Sequence, residues 1–193
     1  MKNSYVVNFR EIMITVILSV LCGFLYIAWA PLYGVADGIY PGLGEIVYGT
    51  WFIAGVLAAY IVQKPGVALI AEMAAASGEF IMGGPYGLST LLYGMAQGAA
   101  TELVFALFRY KKFNMGTLML GGAAAALASL GYEALTGGLA ELSTGPMLAK
   151  IVIRTVSGAV LGGLLAKLIV DALAKTGALN NYAIIRKRME KPF

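Results

Sequence analysis

The chain has 193 residues, 60% of them hydrophobic and 12% charged, with 25 glycines, a net charge of +4 and a mean hydropathy of +0.80. Its apolar blocks are too long for a globular core, so it reads as an all-α, polytopic membrane protein in a lipid bilayer. At ~20 residues a span there is room for about six, with no soluble domain besides. No histidine is present and the one cysteine, Cys22, lies inside the first apolar run, which excludes a histidine dyad, a Cys/His zinc site and an intrachain disulfide.

After a short polar lead, Met1 to Arg10, the first span covers about 11–30 and is expected to stop at Pro31. Its end, Ala28-Trp29-Ala30, resembles a signal-peptidase site. The apolar run is longer than the ~7–15 residues of a signal core, so it reads as a retained helix. The loop 31–44 holds Asp37, several glycines, Tyr33 and Tyr40, which suits an interfacial turn. Spans two and three follow at about 43–63 and 66–82, parted by Lys64-Pro65, and the turn Gly83-Gly84-Pro85-Tyr86-Gly87 leads into span four at about 87–108. Span five covers about 115–136, span six about 147–173, and a basic tail carries Arg186, Lys187, Arg188 and Lys191.

Basic residues mark the N-terminus, the 63–65 turn, the 109–114 loop and the tail, whereas loops 31–44, 83–86 and 137–146 have none. The positive-inside tendency then places both termini in the cytoplasm, and six spans satisfy that parity. The expected architecture is one compact six-helix membrane domain over 1–193. The basic charge is explained by topology, and nucleic acid is not an expected partner. No internal repeat is visible, so an inverted-repeat transporter is not supported.

Carboxylates inside spans are costly and need a partner or a task. Glu72 and Glu79 are seven apart on one face of span three, with Ala75 and Ala76 leaving space between them. They suit a cationic ligand, or else neutralisation by basic side chains elsewhere. Tyr86, Thr90, Tyr93 and Gln97 form one stripe on span four, able to stack on and hydrogen-bond a flat polar ring, or to glue helices together. Glu102 lies off that stripe and reads as structural. Glu45, Tyr48, Trp51, Tyr132, Glu133 and Trp29 gather at the outer ends of their spans; aromatic faces with acids beside them describe a cage for a cation.

Lys150 and Arg154, four apart on span six, can neutralise two of the acids. Glu45, Glu72, Glu79, Glu102 and Glu133 against those two bases leave an acid excess, which fits a cationic guest or protonated glutamates. Small-residue pairs such as Gly94 and Gly98, Ala71 and Ala75, and Gly158 and Gly162 permit close helix approach. No phosphate-cradling Gly-x-x-x-x-Gly-Lys-Ser/Thr motif occurs, nor His-Glu-x-x-His, nor Gly-x-Ser-x-Gly. The expectation is therefore a protein that is not an enzyme and takes no cofactor or metal, with any ATP hydrolysis left to another subunit.

Gly83-Gly84-Pro85-Tyr86-Gly87, then Gln97-Gly98, Thr101-Glu102-Leu103-Val104-Phe105 and Phe108-Arg109-Tyr110-Lys111-Lys112-Phe113, resemble the YkoE-type S component of energy-coupling factor (ECF) transporters. The resemblance implies a subunit that captures thiamine or its hydroxymethylpyrimidine precursor, working with a transmembrane coupling subunit and two cytoplasmic ATPases. Thiamine's thiazolium cation and aminopyrimidine agree with the acid and aromatic inventory. Where many S components dock through Ala-x-x-x-Ala in the first span, this chain has Ser19-x-x-x-Gly23, small enough for the same approach.

The expected substrate site is Glu72 and Glu79 around a cation, Tyr48, Trp51, Tyr93 and Tyr132 enclosing it, and Gln97 and Glu133 hydrogen-bonding its polar ring. Two rivals remain at this stage, an autonomous proton-coupled carrier with the glutamates as protonation sites and a membrane scaffold or assembly factor that binds no small molecule; an intramembrane enzyme is a third, with no motif behind it.

Overall fold

The computed structural model describes residues 6–139 and 141–189, and among them every regular element is helical. Met1 to Tyr5 and Lys191 of the basic tail lie outside the described residues. The helices are α1 (Phe9–Ile39), α2 (Glu45–Val62), α3 (Val67–Ile81), α4 (Ser89–Leu107), α5 (Met115–Leu135), α6 (Thr144–Lys175) and the short α7 (Ala183–Met189). Four of them, α1, α2, α5 and α6, are long and apolar enough to cross a membrane. The 15-residue α3 is shorter, and α4 is diluted by Gln97, Thr101 and Glu102.

The first helix corrects the expectation that it stops at Pro31. It continues to Ile39, a length of roughly 46 Å at ~1.5 Å per residue, well beyond the ~30 Å hydrocarbon layer. Proline removes one backbone donor, but a helix packed against neighbours tolerates that loss. The start of α1 is fixed by a capping box: the Glu11 backbone N–H donates to Asn8 Oδ1 at 3.0 Å, and the Asn8 N–H to Glu11 Oε2 at 2.8 Å. At the other end Asp37 Oδ1 accepts from the Gly42 N–H at 2.7 Å and shapes the turn into α2.

Helix α2 forms the centre of the bundle. Every residue from 49 to 62 is buried, as befits a helix that is apolar all round. Around it α1 packs on α3, α3 on α4, α4 on α5 and α5 on α6, while α6 returns against α2. These contacts are close because the chain supplies small residues. A Cβ at Gly122 of α5 would meet the Gly158 carbonyl oxygen at 2.0 Å, and one at Gly94 of α4 would lie 2.5 Å from Ala76 Cβ of α3.

Two irregular segments face each other where α2 meets α6: a 3₁₀ turn at Gly49–Phe52 and a π segment at Gly158–Leu164. Backbone groups freed by such irregularity must be satisfied inside the protein. Ser157 does so, its Oγ accepting from the Gly49 N–H at 2.9 Å and donating to the Ile46 carbonyl at 2.6 Å.

The small pair on α1 is also a correction. Ser19 is buried and donates to the Thr15 carbonyl, and a Cβ at Gly23 would lie 3.0 Å from the Ala75 carbonyl oxygen. Gly23 is spent on packing α1 against α3 and Ser19 is buried, so the pair does not form an outward docking surface. The tail, for its part, packs back on the bundle through buried Leu179 and Ile184, leaving Arg186 exposed.

Candidate functional site

Toward the end of the bundle where α1 turns into α2, α3 into α4 and α5 into α6, the helices part around a cavity of about 160 Å³ with an open mouth. Its walls include Glu72 and Glu79 of α3, Tyr48 and Trp51 of α2, Tyr93 and Gln97 of α4, and Glu133 of α5. The structure therefore brings together seven of the eight residues expected from sequence. The eighth, Tyr132, stands behind the wall with its ring edge-on to Tyr93, centroids 4.5 Å apart.

Trp51 is the aromatic centre. Tyr26, Tyr33, Tyr48 and Tyr86 surround its indole at centroid distances of 6.4, 6.0, 5.5 and 6.2 Å. The 3₁₀ turn tightens the chain here and sets the indole into the cavity wall. Tyr33 was missed by sequence reasoning because α1 was expected to end at Pro31, and Tyr26, inside the expected span, was not singled out. Their seven-residue spacing on one continuous helix was the available signal. Trp29, a cage candidate from sequence, instead donates its indole N–H to the Val47 carbonyl at 3.1 Å and fastens α1 to α2.

Each of the five acids has a distinct environment. Arg154 grips Glu45 with two hydrogen bonds, from Nε to Oε2 and from Nη2 to Oε1, the latter at 2.7 Å. Its Nη1 donates to Glu133 Oε2 at 2.9 Å, and its guanidinium lies 3.8 Å from the centre of the Tyr48 ring. Lys150 donates to Glu133 Oε1 and lies 3.6 Å from Glu45 Oε1. Two bases thus balance two acids in one cluster on the cavity wall. Glu133 lines the cavity with both oxygens already engaged, and Arg154 covers a face of Tyr48 that a ligand cation would otherwise use.

Glu102 satisfies backbone rather than a base. From α4 it accepts the N–H groups of Gly66 at 2.6 Å and Ala68 at 2.9 Å, with the Tyr110 hydroxyl at 2.6 Å. The carboxylate caps the start of α3, where unpaired donors and the helix dipole favour negative charge. Glu72 does the same one layer deeper. It accepts from the Gly55 N–H at 2.8 Å and the Tyr26 hydroxyl at 3.0 Å, while the Ala54 N–H donates to that hydroxyl at 3.2 Å. This relay caps the α-helical part of α2 that restarts at Ile53.

Glu79 differs from the other four. Its Oε1 accepts a long bond from Trp51 Nε1 at 3.4 Å, and its buried Oε2 has no partner among the described residues. Thr90 Oγ1 across the cavity is likewise buried without a partner. The Gln97 side chain, 4% exposed, makes no hydrogen bond among the described residues, so it does not serve as interhelical glue. Lone acceptors and donors buried at a shared cavity are costly unless a guest completes them.

A bundle that is helical throughout its described residues, with helices able to cross a membrane and a polar and aromatic cavity open at its mouth, defines a polytopic membrane protein with room for a small solute. A family model described as "ABC-type cobalt transport system, permease component" matches residues 10–128. The chain is 38% identical over 183 residues, 94% of its length and 92% of the relative's, to the Bacillus subtilis (strain 168) protein described as "Putative HMP/thiamine permease protein YkoE". A structure described as "Crystal structure of an S-component of ECF transporter" superposes with a TM-score of 0.92 at 37% identity, covering 96% of this chain and 94% of that one.

This chain belongs to the YkoE-type S components of ECF transporters. It is a multi-pass protein of the plasma membrane and a transporter subunit, not an enzyme.

Proposed function

We propose that the chain is the substrate-capturing S component of an ECF importer, taking thiamine or its hydroxymethylpyrimidine precursor from outside the cell. It forms one six-span domain over 1–193 with both termini in the cytoplasm, and works with a transmembrane coupling subunit and two cytoplasmic ATPases. The distribution of basic loops supports the topology, since the cavity lies toward the end whose loops carry none.

One observation carries the ligand assignment: the unpartnered carboxylate oxygen of Glu79, buried beside the Trp51 cage. A thiazolium cation supplies the missing positive charge and gains from the surrounding ring faces. Glu72 adds field from below, Tyr48, Trp51 and Tyr93 enclose the ligand, Tyr132 backs the Tyr93 ring, and Gln97 and Glu133 line the side facing its polar ring. A cavity of about 150 Å³ suffices for a benzene-sized guest. The 160 Å³ here thus encloses one flat ring, with the remainder of a two-ring ligand at the mouth beside Tyr86. Although the matching family model mentions cobalt, the chain has no histidine, and no group of three or more metal-binding side chains occurs among the described residues. An organic guest suits the site better.

Mass spectrometry of the small molecules that copurify with the detergent-solubilised protein, followed by calorimetric titration with thiamine and with hydroxymethylpyrimidine, tests the assignment. Binding of one or both is expected; failure of both to bind the folded protein removes it.

A further inference from the structure

We infer that the cluster of Glu45, Glu133, Lys150 and Arg154 makes the cavity reject phosphorylated forms of its ligand, with Glu133 as the specificity-determining residue. The inference rests on the capture of thiamine or its pyrimidine precursor proposed above and states which members of that class are refused.

Phosphate esters are recognised by lysine and arginine, the latter often through two parallel hydrogen bonds. The cavity has both residues in its wall: Lys150 and Arg154 are its two cationic lining groups among the described residues. Neither is available. Arg154 is 1% exposed, its Nε and Nη2 committed to Glu45 and its Nη1 to Glu133, while one of its faces lies over Tyr48. Lys150 is held by Glu133 and lies close to Glu45. The cluster is electrically balanced, and the unpaired Glu79 oxygen opposite it accepts hydrogen bonds rather than donating them.

A phosphate monoester carries a charge near −1.5 to −2 at neutral pH. Inside this cavity it would shed water without finding a free cation. Leaving a charge unmatched in this way is one of the means by which a site rejects the wrong ligand. Glu133 is the residue that decides it, because it neutralises Lys150 directly and shares Arg154. Phosphorylated vitamin in the surroundings then has to lose its phosphate before capture. A phosphomonoesterase does this by cleaving the P–O bond with water and releasing inorganic phosphate and the free alcohol.

Titrating the purified protein with thiamine and with thiamine monophosphate tests the inference, and the quantity read is the ratio of the two affinities. The wild type is expected to favour thiamine by about a hundredfold or more, Glu133→Gln to shrink that ratio at least ~10-fold through tighter binding of the monophosphate itself, and Lys150→Gln to preserve or widen it; a ratio that shrinks only through weaker thiamine binding overturns the inference. Equal affinities in the wild type overturn the inference while leaving the capture of thiamine standing. Loss of thiamine binding in the wild type overturns both. If Glu133→Gln does not yield folded protein, Lys150→Gln decides, because improved relative binding of the monophosphate in that variant contradicts the assigned role of the cluster.

Discussion

The side chains of Glu72, Glu79 and Glu102 have the same chemistry and three different tasks, and their partners make the difference. Glu79 has a buried oxygen in want of a donor, so Glu79→Gln is expected to weaken thiamine binding at least tenfold, about 1.4 kcal/mol, in calorimetric titration. Glu72→Gln is expected to cost affinity by a similar factor. It also lowers thermal stability, because its two oxygens hold the Gly55 N–H and the Tyr26 hydroxyl, and an amide can accept through only one. Glu102→Gln should leave affinity unchanged and destabilise the fold by about 1–3 kcal/mol through loss of the cap on α3, seen as a lower melting temperature in detergent. Unchanged affinity in both pocket variants would remove the electrostatic basis of capture. Glu72 and Glu79 were legible as a same-face pair seven residues apart; that one of them is largely occupied by backbone was not, because a sequence does not show which N–H groups a broken helix leaves open.

At the level of elements, the irregular turns of α2 and α6 pack on each other, and α5 closes tightly on α6. Substituting Gly122 by leucine drives a side chain into the Gly158 backbone, and no rotamer avoids a Cβ contact of 2.0 Å. The expected outcome is loss of the monodisperse peak in fluorescence-detected size exclusion. Arg154→Ala should be nearly as damaging, since it takes from Glu45 its two-bond partner and leaves Lys150 as the one base for both Glu45 and Glu133; removing one partner of a buried pair typically costs about 3–5 kcal/mol. The glycines at these positions were visible as small-residue motifs. Their pairing was not, and neither was the continuation of α1 past Pro31, which brings Tyr33 to the cavity beside Tyr26. Local proline chemistry argues for a stop, and packing by neighbouring helices overrides it.

For the whole molecule, capture and energy input are separable. Reconstituted in vesicles by itself, the chain is expected to bind thiamine without accumulating it, and accumulation is expected only when the proposed coupling subunit and both ATPases are present with ATP. Uptake by the chain alone that a protonophore abolishes would instead establish an autonomous carrier. What the sequence determined by itself was the class of structure and most of the residues that line the cavity, because a ~20-residue apolar run has few fates and a charge within one must be accounted for. The allocation of that charge was decided by the tertiary structure alone. Which carboxylate meets a base, which meets a helix N-terminus and which faces the cavity depends on contacts between residues as far apart as Glu45 and Arg154, and such pairings arise from how helices pack rather than from spacing along the chain.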